Sequence, residues 1–381
     1  MESMRLGGAE RSLVTLLTKF DYNKYEVDLF LFEHDGELLD KIPKQVNILS
    51  APKKYVLFRK NRKMSWFSLL LQGYYKQSVA MCCYLIGVLY SRYQREPLYI
   101  GWKYIQTLFD TINKEYDVSI SYLERKSMYF NADKVYAKRK IGFIHNNYER
   151  YPYDKVLEKK YFQVMDYIPT VSEHCKDVLV NLFPQYEKKF LVIQNMILEE
   201  EILSLSEEKI ADRVLDNRKK IVSVGRLVKQ KGFDIAISVC RKLVDSGIDI
   251  VWYIVGEGEE RSNLEYLIRE NQLENNFFLV GADKNPYKWM KIADVYVQPS
   301  RFEGFPMTIL EVQQLNKYIV TSDIPEFKSL VREETCHCAR TIEDYVSIIG
   351  GILLLDKKVV QRDKIRDNNS LQQLYGLIEK E

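Results

Sequence analysis

An apolar strand pattern, a turn and a helical pattern follow one another between residues 294 and 311. The strand pattern runs from Asp294 to Gln298, and the turn that follows leads to Pro306, a residue that suits the first position of a helix. At the start of a helix, free backbone N–H groups and the helix dipole both favour a bound anion. This stretch therefore predicts an anion site, and a diphosphate is a natural ligand for it.

Two carboxylates accompany this anion site: Glu303 in the turn and Glu311 in the helix. A carboxylate beside a diphosphate is unfavourable unless it faces neutral hydroxyls, from which it can accept hydrogen bonds. A nucleotide-sugar has both a diphosphate and sugar hydroxyls. The alternative is that Glu303 is an ordinary turn residue and Glu311 an exposed helix residue, and either glutamate alone is weak evidence.

The run Ser300-Arg-Phe-Glu-Gly-Phe-Pro306 and the later Glu311 resemble the donor-site signature of retaining glycosyltransferases of family 4, the glycosyl transferases group 1, which include bacterial capsular and exopolysaccharide enzymes. The resemblance implies an α/β chain with the GT-B fold, in which two doubly wound Rossmann-like domains flank the active-site cleft. It implies that Glu303 contacts the transferred sugar and Glu311 the ribose. Three neighbours of Glu303 would complete this part of the donor site: Gly304, Phe305 and Pro306.

A second strand, turn and helix pattern spans Lys220 to Phe233 and carries Arg226 and Lys231 after a turn at Gly225. Two fixed cations at the carboxyl edge of a sheet can hold a diphosphate and neutralise the charge that develops as it leaves. The resemblance assigns Arg226 and Lys231 this role. The alternative is a solvated loop of cations.

The next two predicted strands also end in glycine turns. Strand 250–255 ends in Gly256-Glu257-Gly258, and strand 277–280 ends at Gly281. The family places the nucleobase across the turn after the middle strand, so we expect Val280 and Gly281 to contact it through their backbone and Glu257 to belong to the donor site. A glycine pair alone would prove nothing.

In the first half, Gly7 and Gly8 lead into a helix with apolar residues at helical spacing. A glycine loop of this kind lets the backbone approach a ligand at a helix N-terminus, so we expect both glycines in the donor site, although a plain turn is the alternative. In the family such a run follows a strand. Residues 1–6 are too polar to form one, so we expect the first strand to be missing and the sequence to begin inside a longer gene product.

An apolar strand predicted at 140–147 places His145 at its carboxyl end, where open α/β sheets bind ligands. A lone histidine is more often structural than catalytic, but this one matches a histidine of the family that reaches the transferred sugar from the N-terminal domain. Other strands are predicted at 25–32, 46–49, 117–124, 167–173 and 190–195.

Charge is distributed unevenly along the chain. Residues 1–190 contain 30 Lys and Arg against 22 Asp and Glu, whereas residues 191–381 contain 26 against 31. Residues 53–67 contain six cations and no acid and end in Trp66 and Phe67. This composition predicts contact with an anionic membrane surface. The alternative is that these helices pack on their own domain with solvated cations. Nucleic acid is a poor fit, because no recognisable binding module accompanies the patch.

Three segments are predicted: an acceptor-binding domain at 1–198, a nucleotide-sugar-binding domain at 199–365, and a helix at 366–381 that crosses back to the first domain. Six scattered cysteines lack disulfide or zinc spacing, and the longest apolar run, 78–90, falls short of the roughly 20 residues that cross a bilayer. We therefore expect a cytoplasmic protein held peripherally at the inner face of the cell membrane.

These features predict a retaining hexosyltransferase that moves a sugar from a UDP-sugar to a lipid-linked or polysaccharide acceptor in cell-surface polysaccharide synthesis. We expect no cofactor and no metal, because cations and the helix N-terminus can neutralise the diphosphate. The resemblance favours same-face substitution, with the leaving phosphate oxygen helping to deprotonate the acceptor hydroxyl. The alternative is a non-catalytic nucleotide-sugar-binding or scaffold protein of a polysaccharide assembly complex.

Overall fold

The computed structural model describes residues 1–60, 63–94, 100–149, 153–210, 217–328, 335–354 and 369–380. The chain divides into two compact units. The first consists of Met1–Met196 together with Asn368–Glu381, and the second of Ile197–Asp367.

The described strands of the first unit form three parallel pairs: β1 (Asp28–Leu31) with β2 (Asn47–Ser50), β3 (Glu115–Ser121) with β4 (Tyr136–Gly142), and β5 (Ile168–Thr170) with β6 (Phe190–Val192). Parallel bridges also join the end of β4 to β5. The helices of this part of the chain are α1 (Gly8–Lys19), α2 (Lys53–Lys60), α3 (Ser65–Leu71), α4 (Tyr75–Gln94), α5 (Ile100–Ile105), α6 (Lys126–Lys134), α7 (Lys155–Val164) and α8 (Glu173–Leu182).

The strand predicted at 140–147 begins and ends earlier than expected. It is β4, which ends at Gly142, so His145 lies three residues beyond the strand. Beyond Gly142 the chain still bonds to both neighbouring strands, because the Phe143 amide N–H donates to the Ser121 carbonyl at 2.8 Å and the Ile144 amide N–H to the Pro169 carbonyl at 2.9 Å. The histidine nevertheless stays at the carboxyl end of parallel strands.

No strand is assigned before α1 within the described residues, although the first residues lie beside β1. The carbonyl oxygens of Met1 and Glu2 accept hydrogen bonds from the amides of Phe32 and Glu33, at 3.1 and 2.8 Å. Helix α1 begins at Gly8, with Gly7 as its extended N-cap.

The second unit contains a six-stranded parallel sheet. Its strands are β7 (Lys219–Val224), β8 (Ile250–Val255), β9 (Phe277–Gly281), β10 (Val295–Gln298), β11 (Tyr318–Ser322) and β12 (Cys336–Ala339). Their order in the sheet is β12-β11-β10-β7-β8-β9. Every side chain of β8 is buried, as expected for a parallel strand covered on both faces. The helices are α9 (Glu199–Ser206), α10 (Phe233–Asp245), α11 (Arg261–Glu270), α12 (Tyr287–Ile292), α13 (Met307–Gln313), α14 (Pro325–Lys328) and α15 (Ile342–Leu354).

A last helix, α16 (Ser370–Glu379), packs on the first unit. Its Leu374 and Leu377 share a buried apolar cluster with Leu13 and Leu17 of α1. The guanidinium of Arg139 donates hydrogen bonds to the carbonyls at the end of α16, which compensates part of the negative end of the helix dipole.

Helices α2 to α5 turn one face toward the core of the first unit. Buried side chains on this face include Tyr55, Phe58, Leu69 and Trp102. Packing on the parent domain, the alternative for the basic aromatic region, therefore accounts for one face of these helices. Throughout the part of the chain that the structure describes, no helix combines the length and the apolar character that crossing a bilayer requires.

Candidate functional site

Two loops of the second unit meet at the carboxyl edge of its sheet, because they follow the adjacent parallel strands β7 and β10. Arg301 of the second loop joins them: its backbone amide donates to the Gln230 carbonyl at 2.8 Å, and its guanidinium donates to both carboxylate oxygens of Asp234 at 2.8 and 2.6 Å. Gln230 in turn donates through its side chain to the Phe302 carbonyl at 3.0 Å. The relative position of the loops is thus fixed by several independent hydrogen bonds.

Gly232 makes this close approach possible. Its φ of +66° lies in the left-handed region, and a Cβ at this position would stand 2.0 Å from the carbonyl oxygen of Pro299. A side chain of any size would therefore force the two loops apart.

The two loops bring Lys231 and Glu303 together. The Lys231 Nζ lies 2.7 Å from Glu303 Oε1, and the side chains are only 15% and 6% exposed. The hydroxyl of Ser300 donates to the same carboxylate oxygen at 2.6 Å. Two donors on one oxygen hold the Glu303 carboxylate in a single orientation.

A chain of buried polar side chains supports Ser300 from the strand. The Gln298 amide donates to the Ser300 hydroxyl at 2.9 Å, and the Tyr296 hydroxyl donates to Gln298 Oε1 at 2.8 Å. Burial raises the pKa of Tyr296 above its ordinary range, so its hydroxyl remains protonated and keeps donating. Sequence reasoning missed this chain, although polar residues at every second position of an apolar strand, which share one face, were the available signal.

Glu311 lies on α13 and is only 2% exposed, so its interpretation as an exposed helix residue is wrong. Its Oε1 accepts a hydrogen bond from the hydroxyl of Tyr287 on α12 at 3.2 Å, a contact that the sequence did not predict. Pro306 is the N-cap of α13 rather than its first residue, with φ of −80° and ψ of 81°. Asn316, three residues after this helix, has a left-handed φ of +52°.

The loop after β8 packs against the loop after β7. Gly256 approaches Gly225 so closely that a Cβ on Gly256 would lie 1.9 Å from the Gly225 carbonyl oxygen. The carbonyl of Glu257 accepts a hydrogen bond from the amide of Leu227 at 3.0 Å, and the Glu257 carboxylate pairs with Arg261 at 2.7 Å.

The remaining predicted donor residues of the second unit lie along the same sheet edge. The Gly281 carbonyl accepts a hydrogen bond from the amide of Gly256 at 2.8 Å, which brings the end of β9, including Val280, beside the loop after β8. Arg226, beside Gly225, is exposed. Gly304 and Phe305 lie between Glu303 and the N-cap of α13. Gly7, Gly8 and His145 belong to the first unit.

His145 is buried between aromatic rings, with its ring centroid 5.0 Å from that of Tyr122 and 5.9 Å from that of Phe143. Burial lowers its pKa to about 4, and the nearby Glu124 carboxylate opposes that shift only in part. The imidazole is therefore neutral at pH 7. Glu124 also accepts a hydrogen bond from the His145 amide at 3.0 Å, and sequence reasoning missed this positioning contact.

The N-terminal part of α1, next to Gly7 and Gly8, is tied to the same region. The hydroxyl of Ser12 lies 2.7 Å from that of Tyr122 and donates to Asn195 Oδ1 at 2.9 Å. The described part of the first unit thus gathers the start of α1, His145 and the residues that follow β3 and β6 around one sheet edge.

Glu158 lies fully buried on α7, where its Oε1 accepts a hydrogen bond from the Tyr129 hydroxyl at 2.7 Å. Burial raises its pKa from 4.5 to about 7, and the opposing effects of Tyr129 and Arg125 are smaller. The folded state thus favours the protonated form. The stabilisation that this provides is complete below pH 4.5 and is lost as pH rises through 7.

We expect Glu158→Gln to remove this dependence, because the amide keeps an acceptor for Tyr129 and never ionises. Chemical denaturation at several pH values should show the parent losing, relative to the variant, on the order of 3 kcal/mol of unfolding free energy between pH 4.5 and pH 8. If the unfolding free energies of the two proteins changed with pH in the same way, folding would not raise the pKa of Glu158.

Comparison with known proteins links the second unit to an enzyme family. Residues 206–368 match the family Glycosyl transferases group 1. The chain is 26% identical over 193 residues to an uncharacterised glycosyltransferase of Methanocaldococcus jannaschii, with 48% of each chain covered. It is also 26% identical over 227 residues, 59% of each chain, to the Campylobacter jejuni N-acetylgalactosamine-N,N'-diacetylbacillosaminyl-diphospho-undecaprenol 4-alpha-N-acetylgalactosaminyltransferase.

Likeness to solved structures extends over nearly the whole chain. The Anabaena protein Alr3699/HepE, solved in complex with UDP and glucose, superimposes with a TM-score of 0.60 at 14% identity, covering 99% of this chain and 93% of that one. This confirms the predicted GT-B fold with two Rossmann-like domains. The chain spans 48% and 59% of the length of these two curated relatives.

Proposed function

We propose that this protein is a retaining, family 4 glycosyltransferase that transfers a hexose from a UDP-sugar to an acceptor hydroxyl. The observation that carries the proposal is the buried Lys231–Glu303 pair at the carboxyl edge of the second sheet. A fixed cation beside a fixed carboxylate suits a ligand with a diphosphate next to a hydroxyl-bearing sugar. The match of the same segment to a glycosyltransferase family supports this choice.

In the proposed site, Lys231 and Arg226 bind the diphosphate, Glu303 orients the transferred sugar and Glu311 holds the ribose. The turns at Gly225, Glu257 and Gly281 approach the nucleoside. Lys231 is well placed for this work, because its pairing with Glu303 orders its ammonium group before a ligand arrives. Arg226 is exposed and would become ordered only on binding.

The proposed reaction forms a bond between the acceptor oxygen and the anomeric carbon on the face from which the diphosphate departs. The bond between the anomeric carbon and the diphosphate oxygen breaks, and that oxygen helps to remove the acceptor proton. The cations neutralise the developing negative charge, so the proposal requires no metal ion. His145, neutral at pH 7, would act as a hydrogen-bonding group toward the sugar rather than as a fixed positive charge.

A lipid-linked acceptor is proposed for the first unit. The name of the Campylobacter jejuni relative describes transfer to a diphospho-undecaprenol carrier, and the basic, aromatic region of the first unit suits a protein that works at a membrane surface. We propose that the protein acts on the cytoplasmic face of the cell membrane in capsular or exopolysaccharide synthesis. A polysaccharide acceptor would use the same donor chemistry.

Ligand stabilisation and donor turnover test the proposal together. UDP at 100 times its dissociation constant should raise the unfolding free energy by about 2.7 kcal/mol, and a thermal shift assay should detect this. Incubation with a panel of UDP-sugars should release UDP, since these enzymes transfer some donor sugar to water.

The two assays also separate the proposal from its alternative. A non-catalytic binding or scaffold protein would be stabilised by UDP but would release none from any donor, with or without an acceptor. If UDP failed to stabilise the protein, UDP would not be the donor nucleotide. Thermal shift assays with ADP and GDP would then identify the nucleotide that binds.

A further inference from the structure

Large apolar side chains are exposed mainly in one region of the first unit. Among the described residues, 13 large hydrophobic side chains are exposed, and eight of them fall within residues 56–86. The seven that lie on or next to α3 and α4 are here called the hairpin patch: Met64, Phe67, Leu70, Leu71, Tyr75, Val79 and Ile86. Concentration in one helical hairpin distinguishes them from scattered surface hydrophobics, which need no explanation.

Helical geometry aligns these side chains. On α4, Tyr75, Val79 and Ile86 are separated by four and seven residues, so they form one row along the helix. Phe67, Leu70 and Leu71 similarly share one side of α3, opposite the buried Leu69. The hairpin is held together from within, because the hydroxyl of Ser78 donates to the Trp66 carbonyl at 2.6 Å. Each helix therefore buries one face and leaves an apolar face exposed.

The segment of sequence that contains the hairpin patch has charges of one sign. Residues 41–95 contain 11 Lys and Arg and no Asp or Glu. Four of these cations are exposed on α2, on α4 or between α2 and α3: Lys53, Lys60, Lys63 and Lys76. An apolar face with a rim of cations is complementary to the acyl region and the anionic headgroups of a bilayer.

The sequence predicted a membrane contact carried by six cations at 53–67, and the structure changes this prediction. Lys54 is paired with Asp110 at 2.8 Å, and Arg59 is paired with Glu33, so two of the six are engaged within the protein. Arg62 lies outside the described residues. The cations alone are therefore a weaker anchor than expected, whereas the exposed apolar side chains are more numerous.

We propose that the α3–α4 hairpin inserts the hairpin patch into the interface of an anionic lipid bilayer, with the exposed lysines at the headgroups. The proposal deepens the proposed function by naming the surface that would bring the first unit to a lipid-linked acceptor. Only the role of the surface in reaching a lipid-linked acceptor rests on the proposed function. Binding to vesicles is measured without any sugar transfer and therefore does not depend on it. Insertion of apolar side chains is little affected by salt, in contrast to a purely electrostatic contact.

Vesicle flotation of the full chain with phosphatidylglycerol and phosphatidylcholine, at 0.1 and 1 M salt, tests the inference. The parent should float at both salt concentrations. The variant Phe67→Ser, Leu71→Ser, Val79→Ser should partition on the order of tenfold or more weakly at both. Replacement of Lys53, Lys60, Lys63 and Lys76 by Gln should weaken flotation mainly at low salt.

Three exposed apolar residues elsewhere provide a matched control: Tyr136→Ser, Val156→Ser and Leu354→Ser together should float like the parent. Circular dichroism checks that all variants fold. A parent that does not float, or a Phe67, Leu71, Val79 variant that floats as well as the parent, would overturn the inference. So would sedimentation showing that the parent is a dimer and this variant a monomer, because the patch would then be covered by a second copy.

Discussion

Replacing Lys231 by alanine is expected to lower the rate of sugar transfer by on the order of 100-fold or more. The reason is the position of its ammonium group, 2.7 Å from Glu303 and 15% exposed, where little water is present to replace the charge. A preorganised cation of this kind is worth most when negative charge develops on the leaving diphosphate. Steady-state release of UDP in the presence of acceptor measures the effect.

Lys229→Ala is the matched control, since Lys229 lies two residues away in the same turn with an exposed side chain. It removes the same charge from the same loop, and we expect its rate to remain within a few-fold of the parent. Equal losses in the two variants would mean that the general positive charge of the loop matters, and the assignment of Lys231 would fail.

Glu303→Gln should likewise lower the rate of transfer by on the order of 100-fold or more, because the amide loses the negative charge that pairs with Lys231. The double variant with Lys231→Ala is expected to be about as slow as the slower single variant, since residues that act as one unit give non-additive losses. Unfolding measured alongside keeps a loss of fold distinct from a loss of chemistry. Additive losses would indicate that the two side chains act independently.

The second unit could be predicted closely from the sequence because its signals are local. A continuous apolar run such as 250–255 is a strand buried on both faces, and the structure has β8 with these bounds. Glycine turns and cations after such strands are then placed at one sheet edge by the parallel topology alone. These two rules are enough to predict which edge of the sheet holds Lys231 and Glu303.

The contacts that complete the site could not be predicted, because they join residues far apart in the sequence. Tyr287 reaches Glu311 across 24 residues, and Arg301 reaches Asp234 across 67. Nothing in the local pattern of either partner specifies the other. The pairing of Arg59 with Glu33 was missed for the same reason, and the charge of the basic region was overestimated as a result.

The position of His145 shows a limit of a different kind. Apolar residues continue beyond Gly142, so the sequence favours a longer strand, but the ladder with β3 ends at the pair Ser121 and Gly142. The end of the partner strand β3 at Ser121 decides where this ladder stops, and the periodicity of residues 140–147 contains no information about that end. The sheet edge at which His145 lies was nevertheless predicted correctly.

Replacing Gly232 by alanine is expected to damage the site as severely as removing Lys231, although the new methyl group carries no charge. Two costs add: the left-handed φ of +66° disfavours any side chain, and the Cβ would lie 2.0 Å from the Pro299 carbonyl oxygen. Because that oxygen belongs to the backbone, the loops after β7 and β10 must separate. Lys231 and Glu303 lie on opposite sides of this junction, so transfer should fall by on the order of 100-fold or more.

Gly247→Ala separates the two costs, since Gly247 has a similar φ of +78° but no atom within 4 Å of the added Cβ. We expect this control to lose about 1 kcal/mol of unfolding free energy and no activity, because alanine there is disfavoured only by the left-handed φ and makes no close contact. Gly232→Ala should lose more stability than that and should also lose its response to UDP in the thermal shift assay. If the two alanine variants behaved alike, close contact between the loops would not be what holds Lys231 against Glu303, and the pair would have to be positioned by the hydrogen bonds of Arg301 and Gln230 between the loops.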